Sequence, residues 1–466
     1  MEEKVKYYDL SFAQDIMLYT LRVVPMKSVV NIGSAFWFGV PMDHDLLEKA
    51  IYKTISRIDA LRIRFVKVDG KYKQYVYEGE PKKVVREDLS NLTEEQIDDV
   101  FTKWTNKGIK YKDCESYEFK IVKGPNGKTM MYLKVNHVAV DAWGLTVFGK
   151  DLIDVYAAMK AGRELPPPPE QFMPLVEKDL TYENSEKYKK DFEFWKEQFK
   201  EKPVYSSISP KYVGQAFRKL SMLKFKSQIK RYHLQKDKVD IIKDFCIKNH
   251  LSPQILFILG TSCYFFILNH SDHTIIANVV GRRTNMKCKK ASGMMLNPVP
   301  FKIQCSPDLT FLEACNKLTG EQFTIFRHSD FPYERISNYI LNTHFGGKKT
   351  VAYQDISFTY QLGKIVADES VPFKVKTYSN GVSGMPAYIT VMDLEDSGTL
   401  EFMIEYNRTC TKEDISKIYY QMLKAVELGI NNPSITIGEI LEKIKGMSEP
   451  AGISNSSGKG EKVYAQ

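Results

Sequence analysis

Lys134-Val-Asn-His137-Val-Ala-Val-Asp141-Ala-Trp143 sets one histidine four residues before one aspartate at a point where the hydrophobic period changes. Upstream, Met131, Leu133 and Val135 alternate with Tyr132, Lys134 and Asn136, the period-2 pattern of a half-buried strand. Downstream, Leu145, Phe148, Leu152, Val155 and Met159 fall on one helical stripe, which Gly162 and the prolines Pro166 to Pro169 stop. Strand followed by helix points to an α/β fold, with His137 and Asp141 in the connection, where a scaffold aims polar groups into a cleft. The spacing alone also fits a satisfied core histidine beside an N-capping aspartate.

Outward from this stretch, two comparable halves are visible in the 466 residues, more than one ordinary domain needs. The first, about 1–180, has helical patterns at 45–58 and 93–105 before the His137 segment. Residues 181–214 read as a linker helix and crossover, with Tyr188, Phe192, Trp195 and Phe199 in an aromatic stripe assigned to packing. The second half, about 215–446, is predicted to hold helices at 237–249, 253–269, 310–326 and 412–428, and strands at 274–280, 353–361, 387–393 and 399–406. Residues 447–466, rich in Ser, Gly, Lys and Glu, are expected to be a disordered tail.

Composition excludes several classes. The longest apolar run, Ile255 to Leu268, is broken by Gly260, Thr261, Ser262 and Cys263, short of the ~20 residues of a membrane span, and reads as a buried helix. Met1-Glu-Glu-Lys-Val-Lys6 lacks the apolar core of a signal peptide, so a cytoplasmic location is expected. Seven cysteines with no Cys-x-x-Cys pair argue against a disulfide framework and a zinc site. His270 and His273 are three apart and could share a helix face, but no partners complete a ligand set around them, and no metal is expected. The net charge is +9, but no Lys/Arg run is interleaved with aromatics, which excludes a nucleic-acid footprint.

Five segments, in order, resemble the condensation domains of nonribosomal peptide synthetases. Ser11-Phe-Ala-Gln14 looks like the opening Ser-x-Ala-Gln motif, and Arg57-Ile-Asp-Ala-Leu61-Arg62-Ile-Arg-Phe65 keeps the Arg, Leu, Arg and Phe of Arg-His-Glu-x-Leu-Arg-Thr-x-Phe. Asn136-His137-Val-Ala-Val-Asp141-Ala142 stands where the family carries His-His-x-x-x-Asp-Gly. Gly293-Met-Met-Leu-Asn297-Pro-Val-Pro is similar to Gly-x-x-x-Asn-x-x-Pro, and His328-Ser-Asp330-Phe-Pro332-Tyr-Glu334 to Asp-x-Pro-Phe-Glu. The resemblance spans roughly residues 8 to 445.

The resemblance implies two chloramphenicol-acetyltransferase-like subdomains in a V-shaped pseudo-dimer with a central tunnel. It implies His137 as the catalytic residue, acting as general base or as a hydrogen-bonding orienter on an amine or hydroxyl that attacks a thioester. Asp141 is then structural, with Arg62 as its best partner and Arg282 or Arg283 as alternatives. Asn136 replaces the first motif histidine and joins Asp141 and Arg62 as a structural residue of the site. Ala142, Trp143, Gly144 and Asn297 are expected along the oxyanion or substrate channel, Ala142 adding a Cβ where the family has glycine.

The chain has no Gly-Gly-x-Ser-like carrier attachment site and no phosphate-binding Gly-rich loop. With no bound cofactor expected, substrates should arrive on the phosphopantetheine arms of acyl or peptidyl carrier proteins, with adenylation domains as further partners, or on coenzyme A. The modest positive field suits such acidic partners. Three activities follow from the resemblance: amide or ester formation between carrier-bound substrates, a free-standing O- or N-acyltransferase, and a non-catalytic carrier-docking homologue.

Overall fold

In a computed structural model, residues 5–213, 225–348, 353–362, 364–394 and 397–448 are described. Most of the 447–466 tail, and residues 214–224 at the start of the second half, lie outside them. The first half runs β1 (Tyr8–Asp9), α1 (Phe12–Val23), β2 (Asn31–Phe38), α2 (His44–Arg57), the single turn α3 (Asp59–Arg62), β3 (Ile63–Val68), β4 (Lys71–Val76), β5 (Val85–Asp88), α4 (Glu94–Thr105), β6 (Tyr117–Lys123), β7 (Thr129–Asn136) and α5 (Ala142–Lys160). Two connecting helices follow, α6 (Met173–Tyr182) and α7 (Glu186–Gln198). The second half runs β8 (Ser227–Leu234), α8 (Lys236–Asn249), α9 (Pro253–Asn269), β9 (His273–Val280), α10 (Met286–Lys290), β10 (Asn297–Gln304), α11 (Phe311–Arg327), α12 (Tyr333–Phe345), β11 (Ile356–Leu362), β12 (Phe373–Tyr378), β13 (Ala387–Leu394), β14 (Thr399–Asn407), α13 (Lys412–Asn431) and α14 (Ile437–Ile444).

Local chemistry fixes many of these boundaries. The Ser11–Gln14 motif is a capping box: the Ser11 hydroxyl accepts from the Gln14 N–H (3.3 Å), and the Gln14 amide oxygen accepts from the Ser11 N–H (2.9 Å), satisfying two donors that the start of α1 would leave free. Similar boxes open α4, α11, α13 and α14. The helix and strand predictions of the second half fall within a few residues of the observed elements, and the 253–269 helix coincides.

Three sheets organise the molecule. A five-stranded sheet has the order β12-β2-β7-β6-β5, a six-stranded sheet β10-β9-β11-β13-β14-β8, and a small sheet β1-β4-β3. β7, the strand that ends at the site, is buried at all eight positions, because α2 and α5 cover one face with Leu47, Ile51, Phe148 and Leu152 and α4 covers the other with Phe101 beside Tyr132. Beneath the six-stranded sheet, α9 is buried from Ile255 through Phe266, as its apolar run requires.

The expected division at 180/215 needs a correction. β12 belongs by sequence to the second half but pairs antiparallel with β2, Lys376 opposite Ala35, so it completes the first half's sheet. The alternation that marks β12 is short and half-exposed, and its pairing is set by residues more than 300 positions away in sequence. The aromatic stripe packs as expected: Trp195 and Phe199 are each 1 % exposed, and Phe192 stacks on Phe331 at 5.3 Å. Among the described residues no single helix is long and apolar enough to cross a membrane; α8 and α9 reach that composition only together, bent by 106°.

Where α9 crosses α13 the backbones meet. A Cβ at Gly260 would stand 2.6 Å from the Met422 carbonyl oxygen, a contact that neither rigid helix can relax. Gly260→Ala is therefore expected to destabilise by about 1–3 kcal/mol, against the ~1 kcal/mol gain that the same change brings in an unpacked helix. A urea titration with an unchanged m value and a lower midpoint is the expected result.

Candidate active site

The loop that carries His137 hangs from both neighbours of β7. The Asn136 N–H donates to the Ser116 carbonyl on the β6 side (2.7 Å), and the His137 N–H donates to the Val30 carbonyl on the β2 side (2.7 Å). The Asn136 side-chain oxygen accepts from the Val138 N–H (3.0 Å), and its carbonyl accepts from the Ala139 N–H (3.0 Å). These bonds wind the four residues after the strand into a tight turn that delivers Asp141 to the start of α5.

Asp141 is 2 % exposed and its carboxylate is fully engaged. It caps α5 by accepting from the Gly144 N–H (2.8 Å) and accepts from the Met295 N–H in the second half (3.0 Å). Arg283 then closes on it bidentately, Nη1 to Oδ2 at 2.8 Å and Nη2 to Oδ1 at 2.9 Å. The same guanidinium donates to the carbonyls of Gly281 and Gly293, each at 3.1 Å. Both ions are buried as a bidentate pair with further hydrogen bonds to four backbone groups, which is how a buried ion pair is tolerated; the Arg283 Nε alone has no partner among the described residues.

Asp141 therefore pairs with Arg283, one of the two alternatives, and the expectation of an Arg62 partner is corrected. The end of β4 explains the difference: the Tyr77 N–H donates to the Arg62 carbonyl (2.9 Å), which brings Glu78 against the Arg62 guanidinium as its ion-pair partner. The rest of that motif is also structural. Arg57 grips buried Asp151 on α5 with Nε and Nη2 at 3.0 and 2.9 Å, and Asp59 accepts from the N–H groups of Phe172 (2.7 Å) and Met173 (2.8 Å) at the start of α6. Arg282 takes φ +53°, a left-handed conformation uncommon outside glycine. That turn sends consecutive guanidiniums to different carboxylates, Arg282 to Asp179 and Asp330 and Arg283 to Asp141.

The channel candidates separate. Ala142 is exposed at the first position of α5, so its methyl group displaces nothing packed. Trp143 is 39 % exposed, with its indole N–H donating to the Lys289 carbonyl of α10 (2.9 Å). Gly144 is buried against the second half: a Cβ there would be 2.8 Å from the Gly293 nitrogen, and its carbonyl accepts from the Ser292 hydroxyl (2.9 Å). Asn297 is placed differently from the expectation, as a tie between β10 and the loop before α12. Its amide donates to the carbonyls of Ser329 and Phe331 (2.8 Å each) and accepts from the Tyr333 N–H (3.1 Å), commitments to backbone and not to a channel. The Gly293-to-Asn297 and His328-to-Glu334 motifs thus meet through Asn297. Ser292 and Met295, which hold the α5 terminus, carry no signal in sequence beyond their nearness to Gly293.

His137 stands between these ties. Its Nδ1 makes no hydrogen bond among the described residues. Burial pushes its pKa below the ordinary 6.5, opposed in part by the charge of Asp141, so the neutral imidazole is the resting form near pH 7. Among the described residues no group of three or more His, Cys, Asp or Glu side chains is placed to hold a metal ion.

A family model described as "Condensation domain" matches residues 4–442. The chain belongs to the condensation-domain family. This condensation domain is 24% identical over 438 residues to a plipastatin synthase of Bacillus subtilis (strain 168), covering 93% of the chain and 17% of that protein. It is likewise 24% identical over 447 residues to a surfactin synthase of the same organism, covering 94% of the chain and 12% of that protein. The chain thus spans less than a fifth of the length of these relatives. Its fold is that of the first condensation domain of the calcium-dependent antibiotic synthetase, solved with a substrate analogue (TM-score 0.79, 17% identity, 93% of this chain and 99% of that one). It is equally that of a mutant starter condensation domain of rhizomide synthetase in complex with C8-CoA (TM-score 0.80, 15% identity, 93% and 97%). The chloramphenicol-acetyltransferase-like α/β fold inferred from the motifs is the fold observed.

Two outcomes follow from the geometry of the condensation-domain loop. Asp141→Ala and Arg283→Ala should each lower stability by roughly 3–5 kcal/mol in urea unfolding, because each strands a buried charge. Arg62→Ala, which frees only the exposed Glu78, should change it by roughly 1 kcal/mol or less. For His137 the sign is set by its lowered pKa: as pH falls below 6.5 the unfolded chain takes up the proton first, so stability present above that value declines toward acid. The neutral base is present above the folded pKa, so kcat/KM should be flat from about pH 7 upward and fall with a midpoint below 6.5. A midpoint above 7 would contradict the assignment.

Proposed function

We propose that this condensation domain transfers an acyl or aminoacyl group from a thioester to an amine or hydroxyl, with His137 handling the nucleophile's proton. The observation that carries the proposal is a neutral, partly exposed His137 on a loop tied on both flanks, beside a carboxylate whose charge is already compensated by Arg283. Attack of an amine on the thioester carbonyl forms C–N and breaks C–S. The proton leaving nitrogen passes to or beside His137 and ends on the departing thiolate as a thiol. A thioester needs no further activation, so orientation and one correctly protonated imidazole are the main requirements.

Relatives named as plipastatin and surfactin synthases support carrier-bound thioesters as substrates, with carrier and adenylation domains as partners, in synthesis of a peptide or lipopeptide. The tunnel between the halves, with Ala142 and Trp143 at its wall, and a cytoplasmic location belong to the same proposal. A second donor, coenzyme A, is favoured by the structural neighbour solved with C8-CoA.

Matched acyl-carrier and acyl-coenzyme A donors, offered with an aminoacyl carrier and followed by mass spectrometry, separate the two. Amide product from the carrier pair is expected, and His137→Ala should reduce it by about 10²-fold or more with an unchanged melting temperature. Full activity in His137→Ala would reject the proton role and leave a docking homologue. Preference for coenzyme A in the wild type would promote a free-standing acyltransferase.

A further inference from the structure

Three buried polar side chains form a row across the strands that hold the His137 loop. Asn31 on β2 lies directly opposite Asn136 on β7. Ser116 continues the β6–β7 register one residue beyond the Tyr117–Val135 pair, with its carbonyl accepting from the Asn136 N–H (2.7 Å). Directly opposed residues of an antiparallel pair place their side chains on the same face within about 5 Å, so Asn136 has Asn31 as its neighbour on one side and Ser116 on the other. They are 4 %, 0 % and 1 % exposed for Asn31, Asn136 and Ser116.

Each has one polar atom with no partner among the described residues: the Asn31 Oδ1, the Asn136 Nδ2 and the Ser116 hydroxyl. The other amide atoms are committed. Asn31 Nδ2 donates to the Thr105 and Lys107 carbonyls at the end of α4, 2.7 Å each, and Asn136 Oδ1 accepts from the Val138 N–H. Those bonds fix both amide orientations, since a flipped Asn136 would oppose donor to donor. What remains is one acceptor, one donor and one hydroxyl on one face of three adjacent strands, closed to bulk solvent. Asn136 is too deeply buried for its spare N–H to meet an acyl group.

We propose that this row binds one water molecule, which accepts from Asn136 Nδ2, donates to Asn31 Oδ1 and bonds the Ser116 hydroxyl, and that it positions the catalytic loop through the Asn136 amide. Three hydrogen bonds is the usual complement of a buried water, and such sites are polar. Asn136 links the water to the loop because its second amide atom holds Val138, next to His137. Asn31, Ser116 and Asn136 are then positioning residues, acting on His137 through the turn and not on the substrate. The positioning role rests on the acyl-transfer reading; the water site does not.

The test uses the full chain and two readouts that need no turnover. A crystal structure at a resolution that shows ordered solvent should hold a peak within hydrogen-bond distance of all three atoms. Ser116→Val, which replaces the hydroxyl with methyl groups where the water sits, should lose that peak. It should also move the His137 titration midpoint, followed by NMR of ring-labelled histidine and assigned with His137→Ala, by about 0.3 pH unit or more. Should Ser116→Val not fold, Ser116→Ala, which removes only one of the three partners, is expected to keep the peak at lower occupancy with a smaller shift of the same sign. A wild-type structure without the peak overturns the site. Loss of the peak with an unmoved His137 titration overturns the positioning role. Because neither readout measures product, an inactive wild type would reject the acyl-transfer reading and leave the water site standing.

Discussion

Taking a carboxylate and a guanidinium out of water costs several kcal/mol per ion, and only near-ideal geometry with every remaining edge hydrogen-bonded recovers it. Asp141 and Arg283 approach that condition at the boundary between the halves, with side chains 3 % and 6 % exposed and only the Arg283 Nε without a partner among the described residues. The N–H groups of Gly144 and Met295 and the carbonyls of Gly281 and Gly293 complete the cage. One residue opens α5, the other leaves β9 toward α10, so the pair fixes where α5 starts relative to the second half's loop. Gly144 and Gly293 allow that approach, since a side chain at either position would occupy space the other half already fills.

The division of labour within the family motifs follows from this. Most of their residues are scaffold: Ser11 and Gln14 close a helix cap, Arg57 anchors α5, Asp59 starts α6, Asn297 ties β10 to the loop before α12, and Asp141 is a cap and an ion-pair partner. His137 stands apart, half-buried and with its Nδ1 free of any partner among the described residues. β12 reinforces the arrangement from the far end of the chain, pairing with β2, while Asn380 beyond it donates to the Val29 and Asn31 carbonyls at 3.2 and 3.1 Å. The strand that flanks the His137 loop is thus braced by second-half residues.

Much of this was legible in the sequence where the signal is local. The change from period 2 to a helical stripe around His137, the apolar run of α9 and the break at Gly162 each reflect backbone chemistry within a few residues, and the elements appear where those signals place them. Pairings between distant residues were not legible. Nothing near Arg62 announces that Tyr77 folds back onto its carbonyl and brings Glu78, and Arg282 and Arg283 are indistinguishable until the +53° backbone of Arg282 separates their directions. β12 was missed for the same reason: an exposed edge strand carries little hydrophobic pattern, and its partner is in the other half.

The electrostatics of His137 follow from the same ion pair. An unpaired carboxylate four residues away would favour the imidazolium, which holds no lone pair for a substrate proton. Arg283 clasps both oxygens of Asp141, and desolvation is the larger influence on His137, drawing the imidazole pKa down against the pull of the Asp141 charge. The arginine from the second half thus joins the halves through the carboxylate next to the histidine, while burial keeps that histidine neutral. The proposed proton role of His137 needs both position and protonation state, because position without the right protonation state gives no transfer, and the right protonation state on a loose loop gives it only rarely.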